Sequence, residues 1–285
     1  MERLSDFTIT GAEMITSDKL LFFCNELNRR GANQVQYIKT DFVRARKGSI
    51  VIMIGWRGLR KGLNLRKIKV LVTGHADYDV NITYGDVINN QVLTHWFGQN
   101  MNIHHPKMTA LPLGITNQHE PNSEIHRVIG DTRRIENVGR TPKEIENLVY
   151  MNITVGNWPA ERQYIVERYG GETWVTHESG NITEAGHMHF LQRMRNHMFV
   201  LAPRGNGIDT HRLWEALYLG TIPIVKRCAA MEQFEDLPIL FVDSWDGITE
   251  EWLEEKHEEM MSREYPLYKL RVSYWQKRIF EACGL

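Results

Sequence analysis

Residues 199–225 constrain this chain more tightly than any other segment. Phe199-Val200-Leu201-Ala202 is an apolar run short enough for a buried strand, and Pro203 ends its pairing. Gly205 and Gly207 let the backbone bend sharply and come close to a ligand. Asp209 or Thr210 stands where a helix N-cap belongs, the helix runs to about Leu219, and Gly220 stops it. Residues 221–225 then read as the next buried strand. Strand, glycine loop, helix and strand make a βαβ unit, whose helix N-terminus points at whatever lies above the sheet.

That helix is apolar almost all round: Leu213, Trp214, Ala216, Leu217, Tyr218 and Leu219 leave only His211, Arg212 and Glu215 as strongly polar positions. At helical spacing those three fall within an arc of ~100°. A cation in the first turn opposes the helix dipole by ~0.3–1 kcal/mol, and an anion bound there reverses the sign. Backbone N–H groups and Arg212 would then share a diphosphate, with Glu215 accepting hydrogen bonds from ribose hydroxyls. The alternative is a solvated i,i+3 ion pair between Arg212 and Glu215, worth ~0.2–0.5 kcal/mol.

Pro203-Arg204-Gly205-Asn206-Gly207, Asp209, Thr210, Arg212, Trp214-Glu215-Ala216-Leu217, Gly220 and Ile222-Pro223-Ile224 resemble the donor-site signature of exostosin-like glycosyltransferases, family GT47 and its relatives. Asn100 and the run from His105-Pro106-Lys107 to Pro112-Leu113-Gly114-Ile115 are similar to a second family stretch. Met151-Asn152 with Arg162, and Leu237-Pro238 through Asp243-Ser244-Trp245, extend the likeness over most of residues 70–255. It is weak over the first 50 residues.

The resemblance implies a GT-B type α/β fold, with two Rossmann-like domains whose parallel sheets face each other across a cleft. The acceptor-side domain would span residues 1–135 and the nucleotide-sugar domain 136–264, with a helix in 265–285 crossing back to the first. It further implies an inverting transfer of a single sugar from a UDP-sugar to a glycan hydroxyl, xylose being favoured slightly. A catalytically inactive nucleotide-sugar- or glycan-binding protein of the same fold is the alternative.

Composition bounds the rest. The chain has 285 residues, 42% hydrophobic and 24% charged, as in an ordinary globular protein large enough for two domains. A formal net charge of −1 gives no general attraction to nucleic acid or anionic membrane, so an anion site must be built locally. Cys24, Cys228 and Cys283 are far apart and odd in number, against a disulfide framework and for a reducing compartment. No apolar run of membrane-spanning length and no signal pattern occurs. The expectation is therefore a cytoplasmic protein, or the soluble part of an anchored enzyme.

Strands alternate with helical segments, which implies parallel sheets. In the first half a helix is expected over 20–30, and strands over 49–54, 70–73, 92–97 and 110–113. In the second half strands are expected over 149–155, 172–176, 221–225 and 239–242, and helices over Pro159–Tyr169, 190–197 and 266–283. Residues 130–147 read as a polar, turn-rich boundary. The acidic run 250–259 reads as the solvated face of a helix, with Trp252 inward.

Several signals carry little. Gly205-x-Gly207 has Thr210 where a dinucleotide fingerprint needs glycine, and residues 55–62 lack the Gly-Lys-Ser/Thr ending of a P-loop. His187 with His189 lacks the i,i+4 spacing of zinc proteases. No metal or other cofactor is expected.

Transfer from a nucleotide sugar needs a stabilised leaving diphosphate, a base for the acceptor hydroxyl and exclusion of water. Arg162, Arg204, Arg212 and the amides of Gly205, Asn206 and Gly207 are the candidates for the diphosphate, with Asp209, Thr210, His211 and Glu215 completing the donor-side set. The base is expected in Gly74-His75-Ala76-Asp77-Tyr78-Asp79, just after a strand end. Asp77 is favoured because the family often has a similar aspartate there; Asp79 and His75 come next. The two aspartates would hold each other's pKa upward, or they form no more than an Asx-type turn. His105, Trp56 and Arg57 are the acceptor-side candidates. For the stretch around Trp56 and Arg57, a solvated turn is the other reading.

Overall fold

The computed structural model describes residues 1–30, 35–39, 68–75, 77–118 and 123–285. After a 3-10 turn over Leu4–Asp6 comes α1 (Ser17–Arg29), whose N-cap Thr16 accepts a hydrogen bond from the Lys19 N–H. This cap starts the helix ahead of the expected position. Strands β1 (Val35–Lys39) and β2 (Val70–Gly74) follow, then the short helix α2 (Gly85–Ile88), β3 (His95–Gly98) and β4 (Met108–Ala110). They form a parallel sheet in the order β1-β2-β3-β4. The strand expected over 49–54 lies outside the described residues, and β1 was not foreseen. β3 begins later than expected because the Asn90 side chain accepts from the N–H groups of Val92 and Leu93, holding a turn there. β4 stops at Ala110, and Pro112 has no N–H to extend it.

Of the stretch 130–147 expected to be turn-rich, residues 132–139 are helical and 140–146 are not. Ser123 caps α3 (Glu124–Ile129), and Asp131 caps α4 (Thr132–Gly139), whose buried Ile135 and Val138 seat an otherwise polar helix. Only two apolar positions carry that packing, so the segment reads as a linker; the boundary expected at 135 falls inside α4.

The second sheet contains β5 (Asn147–Met151), β6 (Val175–His177), β7 (His197–Leu201), β8 (Ile222–Lys226) and β9 (Leu240–Val242). All its pairs are parallel, in the order β6-β5-β7-β8-β9. Between the strands run α5 (Pro159–Tyr169), α6 (Glu184–Arg195), α7 (His211–Tyr218) and α8 (Ala229–Glu232); α9 (Glu250–Met261) and α10 (Val272–Ala282) close the chain. α6 starts well before the expected position, capped by Thr183, and His197 belongs to β7.

Alternation along these strands sets the two faces. Val149, Met151, Phe199 and Leu201 pack in one cluster with Ile165 and Tyr169 of α5 and Leu253 of α9. Their neighbours Tyr150 and Val200 join the larger core containing α7, α1 and the first sheet. Trp214, Phe234 and Trp275 stack edge-to-face inside that core, and α10 packs against α1. The expectation of an α/β chain with parallel sheets is met. Among the described residues, no helix is long and apolar enough to cross a membrane.

Candidate functional site

The strand order of the second sheet reverses between β5 and β7, and open parallel sheets bind ligands at the carboxyl ends of the strands beside such a reversal. A cavity of about 430 Å³ lies there. Its wall comprises Asn152, Thr154 and Asn157 after β5, residues 178–182 after β6, His187 and Phe190 of α6, and the loop after β7 with the start of α7. Asp77, Leu113 and Thr116 from the first half, with Ile125 and Ile129 of α3, complete it.

Two guanidinium groups stand on this wall. Arg212 donates from Nη2 to the Asn152 carbonyl and lies over the Phe190 ring, 5.9 Å from its centroid; its Nε is buried without a partner among the described residues. Arg162, 3% exposed, donates to the carbonyls of Arg204 at 2.7 Å, Thr154 at 2.9 Å and Pro203 at 3.3 Å. It therefore braces the loop after β7. Burial, reinforced by the nearby Arg212 charge, brings the Arg162 pKa down to about 10. Among the described residues, no carboxylate lies within 4.0 Å of either guanidinium, so the ion pair between Arg212 and Glu215, the alternative reading, is not formed.

Glu215, 5% exposed, lies one turn deeper in α7. Burial raises its pKa to about 7 against the opposing pull of Arg212. Among the described residues, no hydrogen-bond donor reaches its carboxylate. The concentration of unmet polar atoms is the clearest mark of a site. Five of the ten buried side-chain atoms without partners among the described residues line this cavity: Thr116 Oγ1, His187 Nδ1 and Nε2, Thr210 Oγ1 and Arg212 Nε. Folded chains leave few such atoms, and each calls for an explanation.

Other expected donor-side residues brace the site instead. Asp209 does not cap α7. Its carboxylate accepts from the Leu113 N–H at 2.7 Å and from Trp214 Nε1 at 2.8 Å, and its pKa is raised to about 7 by burial. Thr210 occupies the N-cap position without making a cap bond. His211 Nδ1 bonds the Gly114 carbonyl at 2.7 Å, and burial lowers its pKa to about 4, keeping the ring neutral. The Gly205 N–H is taken by the Gly207 carbonyl, which removes one amide from the expected anion cradle. The two glycines admit close protein neighbours: a Cβ on Gly205 would stand 3.1 Å from Arg162 Nη2, and one on Gly207 3.1 Å from the Asn100 amide.

Arg204 points to the other side of its loop, over the Trp158 ring at 3.9 Å and 3.5 Å from Asp79. It lines a neighbouring cavity of about 210 Å³ with Glu161 and Cys228.

Of the base candidates, only Asp77 lines the larger cavity, hydrogen-bonded to the Asn206 side chain. Burial raises its pKa, and the Asn206 bond opposes this. Asp79 is raised by burial too, with Arg204 opposing, so the cause of each rise is burial rather than the mutual effect expected of the two aspartates. The His75 ring turns to Asp18, with Nε2 at 3.1 Å from Oδ1, away from the cavity wall. His105 accepts the Lys107 N–H within its own turn and does not line the cavity either. Trp56 and Arg57 lie outside the described residues.

The sequence reading missed Thr116, Asn152, Phe190 and His187 as cavity residues. For His187 a signal existed: it shares the buried face of α6 with Leu191 and Met194, at helical spacing.

No protein-family model matches the chain, and no curated protein matches it significantly. Among solved structures it is similar to the apo structure of OtsA, at 10% identity and TM-score 0.42, over 94% of this chain and 77% of that one. It is also similar to AviGT4, a glycosyltransferase involved in avilamycin A biosynthesis, at 12% identity and TM-score 0.38, over 92% of this chain and 87% of that one. Likenesses this remote decide nothing about the chemistry of the cavity.

Proposed function

We propose that the cavity binds a nucleotide sugar and that the protein transfers one sugar from a UDP-linked donor, xylose being favoured, to a hydroxyl of a glycan acceptor. The observation that carries this reading is a pair of buried guanidinium groups that, among the described residues, meet no carboxylate, beside a buried carboxylate that meets no donor there, all on one cavity wall. A diphosphate supplies the missing anion for Arg212, whose Nε is unmet, and for the field of Arg162 behind it. Ribose hydroxyls supply donors for Glu215. Fixed cations and the N-terminus of α7 stabilise the charge that develops on the leaving diphosphate, so the reaction needs no divalent ion.

Asp77 faces this set from the first half of the chain and acts as general base. The acceptor oxygen attacks the anomeric carbon and gives its proton to Asp77. The bond from that carbon to the diphosphate oxygen breaks, its electron pair leaves with the diphosphate, and configuration inverts in a single displacement. In this reading residues 1–135 serve the acceptor, 136–264 the donor, and 265–285 join the two.

The test is thermal stability with UDP- and GDP-sugars in EDTA. UDP and its sugars raise Tm without a metal; a Tm unmoved by every nucleotide defeats the reading.

A further inference from the structure

The imidazole of His187 has no part in the scheme above. It is 3% exposed, and among the described residues neither of its nitrogens has a hydrogen-bond partner. A neutral imidazole carries one N–H and one lone pair, and leaving both unmet in a buried wall is a cost that an apolar side chain of similar size avoids. Burial lowers the His187 pKa to about 4, so the neutral ring is the form present near neutral pH. The Phe190 ring lies nearly parallel to it, at 18° and 6.1 Å between centroids. Ile125, Ile129 and Ile182 add apolar wall, and Ile125 and Ile182 remain exposed at 49% and 55%. Apolar side chains around one unmet polar ring suit a flat heteroaromatic group whose edge can hydrogen-bond.

We infer that His187 hydrogen-bonds the edge of the nucleobase of the bound nucleotide, with Phe190 and the isoleucines packing against the base. The inference rests on the nucleotide reading of this cavity and adds the residue that distinguishes a nucleotide from bare diphosphate. One ring nitrogen meets the base, and the tautomer follows the group that the base presents there.

The test is calorimetric titration of wild type, His187→Leu and His187→Gln with UDP, GDP and inorganic pyrophosphate, together with Tm of each free protein. His187→Leu weakens binding of the preferred nucleotide about tenfold, the worth of a buried neutral hydrogen bond, and leaves pyrophosphate affinity unchanged. The same substitution raises Tm of the free protein, because an unmet buried ring is gone. His187→Gln, which keeps a donor and an acceptor, retains most of the nucleotide affinity. Unchanged nucleotide binding in His187→Leu overturns the base contact, as does an equal loss of pyrophosphate. Wild type that binds neither nucleotide nor pyrophosphate removes the nucleotide reading itself, a different failure.

Discussion

Asp209 Oδ2 accepts the backbone N–H of Leu113 at 2.7 Å, joining the turn after β4 to the start of α7 across 96 residues of sequence. His211 repeats the join one step on, at the Gly114 carbonyl, and the Asn100 side chain accepts the Asp209 N–H at 2.9 Å. Two stretches that look like separate binding motifs in the sequence thus hold each other, and the cavity wall is built where they meet.

Removing that join has a calculable consequence. Asp209→Ala leaves the Leu113 N–H and the Trp214 indole N–H buried without acceptors, a loss of roughly 2–4 kcal/mol in stability. Asp209→Asn keeps one acceptor oxygen and loses less. Urea denaturation orders the three proteins; equal stability of Asp209→Ala and wild type would show that the join contributes nothing.

Glu215 gives a pH signature. Its folded pKa is about 7 against a reference of 4.5, so between those values the folded state holds more protons than the unfolded. Its contribution is complete below the lower value and is lost as pH rises through the upper one. Glu215→Gln is therefore more stable than wild type at pH 8 by roughly 1–3 kcal/mol, with the gap closing toward pH 4. His187, His197 and His211, all near 4 in the fold, run the opposite way in both proteins, so the difference between the two profiles isolates Glu215. The same variant binds nucleotide more weakly, which separates a ligand-binding carboxylate from a structural one.

Asp77→Asn spares UDP binding and lowers the transfer rate by ~10²–10⁴, the range of general-base catalysis. Wild-type rate rises with pH through a carboxyl pKa held above its ordinary value by burial. Asp79→Asn disturbs the pair with Arg204 and has a smaller effect on rate. Full turnover in Asp77→Asn would place the base elsewhere.

Arg162→Met removes three donors from the carbonyls of Thr154, Pro203 and Arg204. Nucleotide affinity falls about tenfold or more through loss of both the charge and the loop brace. Arg162→Lys, with one ammonium in place of a planar fork, recovers only part of it. Titration of the two variants against wild type decides between brace and charge: equal affinity in Lys and wild type leaves charge alone as the contribution.

Much of the second half was legible because its signals are local. Pro159 at the first helical position sets the start of α5, and Gly220, at φ +72°, ends the turn after α7 in a conformation that suits glycine. Elements with weak local signals were misread. α4 carries only Ile135 and Val138 as buried anchors, and α6 opens on Thr183 and Glu184, ahead of its apolar residues.

The sequence by itself determined the βαβ order, the parallel sheets and the helix that begins beside the cavity, because alternation, caps and glycine stops act over a few residues. Only the tertiary structure decided what each polar side chain faces. Arg204 turns to Asp79 and Trp158, Asp209 turns inward to Leu113 and Trp214, and His187 lines the cavity with no hydrogen-bond partner for its ring among the described residues. A buried polar group takes its partner from whatever the fold brings within about 3 Å, and those neighbours are set by contacts across the whole chain.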